Sequence, residues 1–147
     1  MSGKCLRCGA HSVMPRTDEG RAIAYRVFAD LAIPDDVPIV ACGRCGARYL
    51  DEDTQTALEP ILSRLYAARL GTIASDAIRR LKPSISQRRL ELMIGLSQGY
   101  LSRVAAGQGT PSAALVVLLV LLADEPHHLE TIRRNWARGA TEKDVSK

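Results

Sequence analysis

The segment "ISQRRLELMIGLSQGYLSRVAAGQGTPS", Ile85 to Ser112, decides how this chain folds. Ser86 and Ser97 each precede a short run with apolar residues three or four apart, and Gly95 and Gly107 follow those runs. A serine hydroxyl can satisfy an orphan N–H of a first helical turn, and glycine adopts the left-handed conformation that ends a helix. The pattern predicts two short helices, "QRRLELMI" and "QGYLSRVAA", joined through the Gly-Leu-Ser turn. Leu101 and Val104 share one face of the second, and with Leu90, Met93 and Ile94 they can lock the pair at a fixed angle. The opposite face presents Gln98, Gly99, Ser102 and Arg103, with one charge among them.

Further helices flank this pair. Ser75 opens "DAIRRL", which Pro83 closes; Ser112, after Pro111, caps "AALVVLLVLLA"; and "PHHLETIRRNWARG" runs from Pro126 to a stop at Gly139. Five short helices around a tight turn make a helix-turn-helix domain over residues 73–140, followed by a disordered tail at 141–147. Upstream, Leu58, Ile61, Leu62, Leu65 and Tyr66 recur on one face, with Pro60 near the start and Gly71 as a stop, which predicts a connector helix at 55–72. The run Ala113–Ala123 has eleven apolar residues, short of the roughly 18 needed to span a membrane. A surface helix that is apolar on every side needs a partner, so a homodimer is expected. His127 and His128 read as exposed first-turn residues, not ligands.

The first half follows a different logic. Its four cysteines, the only ones in the chain, form the matched units "CLRCG" (Cys5, Cys8) and "CGRCG" (Cys42, Cys45). Two intervening residues let a tight turn aim both sulfurs at one ion, and the Gly after each second Cys permits the positive φ such a turn favours. Cys5, Cys8, Cys42 and Cys45 are therefore the expected ligands of one structural Zn2+ per chain, with an iron site or redox thiols as alternatives; His11 reads as a surface residue. Ile23, Tyr25, Val27 and Ala29 within "AIAYRVFADLAI" alternate as in a half-buried strand, "VPIVACG" and "ARYL" offer further strands, and Pro34, Asp35 and Asp36 supply a turn. Residues 1–54 thus read as a zinc ribbon, and the fold class as α+β in two modules. Four sulfur ligands leave no open metal position, and no catalytic constellation is evident, so no enzyme is expected.

Composition fits this division. At 46% hydrophobic and 24% charged the 147 residues are globular, not disordered. Residues 1–60 hold seven Lys/Arg against nine Asp/Glu, whereas 61–147 hold thirteen against seven, so only the second half suits a polyanion. "MSGKCLRCGA" lacks the apolar core of a secretory signal, and reduced, paired cysteines suit a soluble cytoplasmic protein with no membrane partner.

A capped helix pair in a basic half predicts binding of double-stranded DNA. The residues expected to meet it are Gln87, Arg88, Ser97, Gln98, Gly99, Tyr100, Ser102 and Arg103. Arg pairs with guanine and Gln with adenine in the major groove, while the start of the first helix, with Arg79, Arg80, Lys82, Arg88 and Arg89, suits the phosphate backbone. A dimer would place two such helices about one turn apart on a palindrome.

The double knuckle, the connector and "SQ…LSR…G…P" together resemble the MqsA-type antitoxins, which join a zinc ribbon to an Xre/Cro-type, lambda-repressor-like helix-turn-helix. The resemblance implies a homodimer that represses its own operon from a palindromic operator and neutralises a small ribonuclease toxin through its zinc-ribbon half. It also implies zinc on the four cysteines and base contacts from Arg103 and the residues around Gln98 and Gly99. Two positions depart from that family: Gly99 stands where an Asn is frequent, and Ala105 where a Glu is usual, which is expected to alter the operator and loosen the following loop.

Overall fold

The computed structural model describes residues 3–17 and 21–144. The chain divides into two compact units, Met1–Tyr66 and Ala67–Lys147. The first is β-rich and carries the cysteines; the second is helical. This is the two-module α+β organisation expected from the sequence.

In the first unit, β1 (Gly3–Lys4), β2 (His11–Arg16) and β5 (Ile39–Cys42) form an antiparallel sheet in the order β1-β2-β5. The segment expected to be one strand is instead a hairpin of β3 (Ala22–Tyr25) and β4 (Phe28–Ala32). Tyr25 pairs with Phe28 across the two-residue turn Arg26–Val27, and Arg26 takes a φ of 51°. Such short turns need positive φ to match strand twist. Arg26 has no glycine's freedom, but its guanidinium lies over the rings of Tyr25 and Tyr66, at 5.2 and 5.1 Å, which holds the bend. The apolar alternation misled because Val27, counted with the buried face, sits exposed in the turn. "ARYL" contributes a single bridge, Ala41 to Arg48, not a strand.

Helix α1 runs unbroken from Glu52 to Leu81. Asp51 caps it, accepting the Thr54 N–H at 2.8 Å, and these bonds hold its carboxyl below the usual range. Leu58, Leu62 and Tyr66 are buried in the first unit, where Tyr66 meets Tyr25 and Phe28 edge-on at ring separations of 5.8 and 5.5 Å. Leu70, Ala74, Ala77, Ile78 and Leu81 are buried in the second. The expected stop at Gly71 and the fresh start at Ser75 are absent, so the boundary between connector and helical domain falls inside a continuous helix. Burial on both sides of Gly71 at helical spacing outweighs the local preference of one glycine.

Helices α2 (Gln87–Ile94), α3 (Tyr100–Ala105), α4 (Ala113–Asp124) and α5 (His128–Asp144) complete the second unit. Leu90, Leu101, Val104, Val116, Leu119, Leu122 and Leu129 are buried. Helix α4 resolves its apolar surplus only in part, since Val117 and Leu121 each remain 57% exposed. The last helix passes through Gly139 and includes residues 141–144 of the expected tail; residues 145–147 lie outside the described residues. Among the described residues no helix is long and apolar enough to cross a membrane.

Gly71 has a right-handed backbone and nothing within 4 Å of an added Cβ. Gly71→Ala is therefore expected to raise stability by about 1 kcal/mol in chemical denaturation. A loss of stability would mean a left-handed stop at this position.

Candidate functional site

The two knuckles repeat one six-residue pattern, "CLRCGA" and "CGRCGA", and one backbone geometry. The Cys5 N–H donates to the Ala10 carbonyl at 2.8 Å and the Gly9 N–H to the Cys5 carbonyl at 2.9 Å; Cys42, Ala47 and Gly46 repeat both bonds at the same lengths. Gly9 and Gly46 take φ values of 74° and 70°. The turns bring four sulfurs within 4.8 Å of one another, with Cys5 to Cys45 at 3.6 Å and Cys8 to Cys42 at 3.7 Å. Tetrahedral coordination at a metal–sulfur distance of about 2.3 Å separates sulfurs by about 3.8 Å, so the cluster fits one thiophilic ion.

Local donors prepare the thiolates. Tyr49 donates its hydroxyl to Cys5 Sγ at 3.0 Å while accepting the Leu6 N–H at 2.9 Å, and this bond lowers the Cys5 pKa to about 6. Backbone N–H groups of Cys45 and Arg44 lower Cys42 in the same way. Cys8 moves oppositely, to about 11: the Ala10 N–H favours its thiolate, but desolvation and the neighbouring sulfurs outweigh it. Four adjacent thiolates need a dication between them. Tyr49 escaped the sequence reading because an aromatic beside a knuckle looks like an ordinary strand residue. Gly43 leaves space that a side chain would fill: an added Cβ would lie 2.6 Å from both Ser12 Oγ and an Arg16 nitrogen.

In the second unit Ser86 caps α2 as expected, its hydroxyl accepting the Arg89 N–H, and Gly95 ends the helix at φ 76°. The start of α3 differs from expectation. Gly99, at φ 79°, is the N-cap, and it supplies no side chain to satisfy the first turn. Glu91 supplies it from α2: one carboxylate oxygen accepts the Gly99 N–H at 3.0 Å and the other the Leu101 N–H at 2.9 Å. Only 3% exposed, Glu91 lies against the positive end of α3. Within an otherwise amphipathic run it reads as a solvated charge, and no sequence signal identifies its partner.

The expected contact residues collect around this joint. Gln98, Ser102 and Arg103 are exposed, as are Arg88 and Ser97, while Gln87, Gly99 and Tyr100 are half-buried. Ser102 donates to Gln87 Oε1 at 3.0 Å, tying α3 to the start of α2. Ser97, released from capping, accepts from Arg103 Nη2 at 3.4 Å, and Arg103 Nη1 reaches the Gln98 carbonyl at 3.5 Å. A Cβ at Gly99 would stand 3.3 Å from Arg103 Nη1, so glycine also makes room for that guanidinium. The loop after α3 is closed by its backbone, with the Gln108 N–H on the Arg103 carbonyl at 2.8 Å, despite the missing acidic anchor at Ala105.

The basic cluster is smaller than its count. Arg79 pairs with Asp76, and Arg80 with Asp124 at the end of α4. Lys82, Arg88 and Arg89 form no ion pair among the described residues and are exposed.

Two measurements test this geometry. Structural zinc sites contribute about 10 kcal/mol or more, comparable with the whole stability of a domain. Chelation or Cys42→Ser is thus expected to collapse the amide NMR dispersion of residues 3–50 and leave resonances of α2–α5 in place; loss of both sets would refute two separable units. Glu91→Ala strands two N–H groups and is expected to cost about 1–3 kcal/mol in urea denaturation. Glu91→Gln keeps one acceptor oxygen and should lose less; the reverse order would rule out a capping role.

Residues 77–122 match the helix-turn-helix family model. No curated protein matches the chain. The match spans the end of α1 through α4 and contains the Glu91-anchored joint. The Xre-type helix-turn-helix at 77–122 supports a DNA-binding transcription regulator, and the same chain carries a four-cysteine unit able to hold a metal ion.

Proposed function

We propose that this regulator is a sequence-specific repressor acting as a homodimer on a palindromic operator. The observation that carries the reading is the Glu91-held α3, which presents Gln98, Ser102 and Arg103 on one exposed face beside the capped start of α2. Arg103 suits a guanine, and Gln98 an adenine. Lys82, Arg88 and Arg89 supply salt-sensitive attraction to the backbone. The exposed Val117 and Leu121 of α4 favour a second copy as the dimer partner.

The four-cysteine unit holds structural zinc in this reading and performs no chemistry, so the protein is a binding protein and not an enzyme. Its resemblance to the MqsA-type antitoxins supports a further role, neutralising a small ribonuclease toxin and repressing the shared operon. Charge agrees, since the net −2 of residues 1–60 suits a basic protein partner better than DNA.

Titration against DNA from upstream of its own gene is expected to show preferred, salt-dependent binding. Arg103→Ala should weaken operator binding by about 1–3 kcal/mol and spare random DNA. Absence of operator preference at low salt overturns the repressor, and equal loss on random DNA reassigns Arg103 to phosphate. Co-purification with the product of the adjacent reading frame tests the antitoxin role separately; failure there leaves a repressor without a toxin.

A further inference from the structure

The connection between α4 and α5 gathers three metal-ligating side chains remote in sequence from the cysteines. His127 Nε2 and His128 Nε2 lie 3.6 and 3.2 Å from the same oxygen, Oε2 of Glu125. The three donors fall within 4.8 Å of one another. We propose that Glu125, His127 and His128 form a second, open site for a borderline divalent cation such as Zn2+ or Ni2+.

The distances support coordination. Metal–nitrogen and metal–oxygen bonds of about 2.0–2.1 Å at tetrahedral angles put neighbouring donors about 3.4 Å apart, midway between the two observed separations. The two imidazole rings are tilted by 39° to one another with centroids 4.1 Å apart, so both fall within reach of one ion beside Glu125.

The backbone holds the donors in place. Pro126 fixes its own φ, the His128 N–H donates to the Glu125 carbonyl at 3.1 Å, and the Glu130 N–H to the His127 carbonyl at 3.1 Å. Buried Leu122 and Leu129 anchor the turn from either side. Because the ligands lie within four residues, little loop entropy is lost on binding. Two nitrogens and one oxygen disfavour Ca2+ and Mg2+, which prefer all-oxygen shells. The side chains are exposed, so the fourth position is open to water or to a donor from another molecule.

Calorimetric titration of Zn2+ into full-length protein whose four-cysteine site is already filled tests this. A second ion per chain is expected, with micromolar affinity. The double variant His127→Ala/His128→Ala should lose it, and Glu125→Gln, which removes a directly coordinating carboxylate, should weaken it by at least about tenfold, the lower bound for loss of even an outer-shell partner. The chain has three histidines, so the imidazole proton resonances of His127 and His128 can be followed against His11 as an internal reference. No saturable second ion, unchanged binding in the double variant, or a shift confined to His11 would each overturn the site.

Discussion

Four sulfurs held within 4.8 Å of one another set the terms for the first unit. Thiolates at that separation repel, and the buried apolar side chains of the unit, among them Leu31, Ile33 and Ile39 with Leu58, Leu62 and Tyr66, make a small core. A cation at the centre would turn that repulsion into cohesion. The matched backbone bonds of the two knuckles show how little chain the arrangement needs: a Cys-x-x-Cys-Gly turn, used twice, aims its own N–H groups at its own sulfur. The rest of the unit brings the turns together, since β5 ends on Cys42 and pairs with β2, which follows the first knuckle.

The second unit answers a comparable problem with a carboxylate. A Gly N-cap lets the chain turn sharply into α3, yet it leaves that helix without a side-chain acceptor. Glu91 restores the bonds from the preceding helix, so the same contact that satisfies α3 also sets its position against α2. Ser102 to Gln87 makes a second tie on the exposed side. The joint is bonded inside and outside, which fixes the exposed Gln98, Ser102 and Arg103 relative to the start of α2.

What the sequence disclosed follows from how local each determinant is. The cysteine spacing carries its meaning within four residues, and the Ser86, Ser112 and Gly95 caps within one turn, so these were legible. The hairpin at Arg26–Val27 was not, because its bend rests on Tyr66, forty residues away along the chain. Gly71 looked like a stop because glycine's local preference is readable while the burial of Leu70 and Ala74 beside it is not. Ser97 fits a cap by every local rule; Gly99 displaced it only because Glu91 offered a better acceptor from another helix. In these three cases a side chain outside the local window overrode a sound local preference.

That displacement bears on how a helix with one charge can serve a polyanion. The N–H groups at the start of α3 are spent on Glu91 and on the Ser97 carbonyl, and the adjacent carboxylate cancels the favourable end of the helix dipole. The start of α3 is therefore unsuited to gripping phosphate. At α2 the Ser86 hydroxyl caps the first turn through the Arg89 N–H, no carboxylate lies in that turn, and the exposed Lys82, Arg88 and Arg89 flank or belong to it in sequence. On the repressor reading proposed above, phosphate attraction falls to α2, because Glu91 offsets the positive end of α3. What α3 retains is side-chain chemistry alone: an amide at Gln98, a hydroxyl at Ser102, and a guanidinium at Arg103 that folds back toward Ser97 and the Gln98 carbonyl. Neutrality in the reading helix is the consequence of how it is anchored.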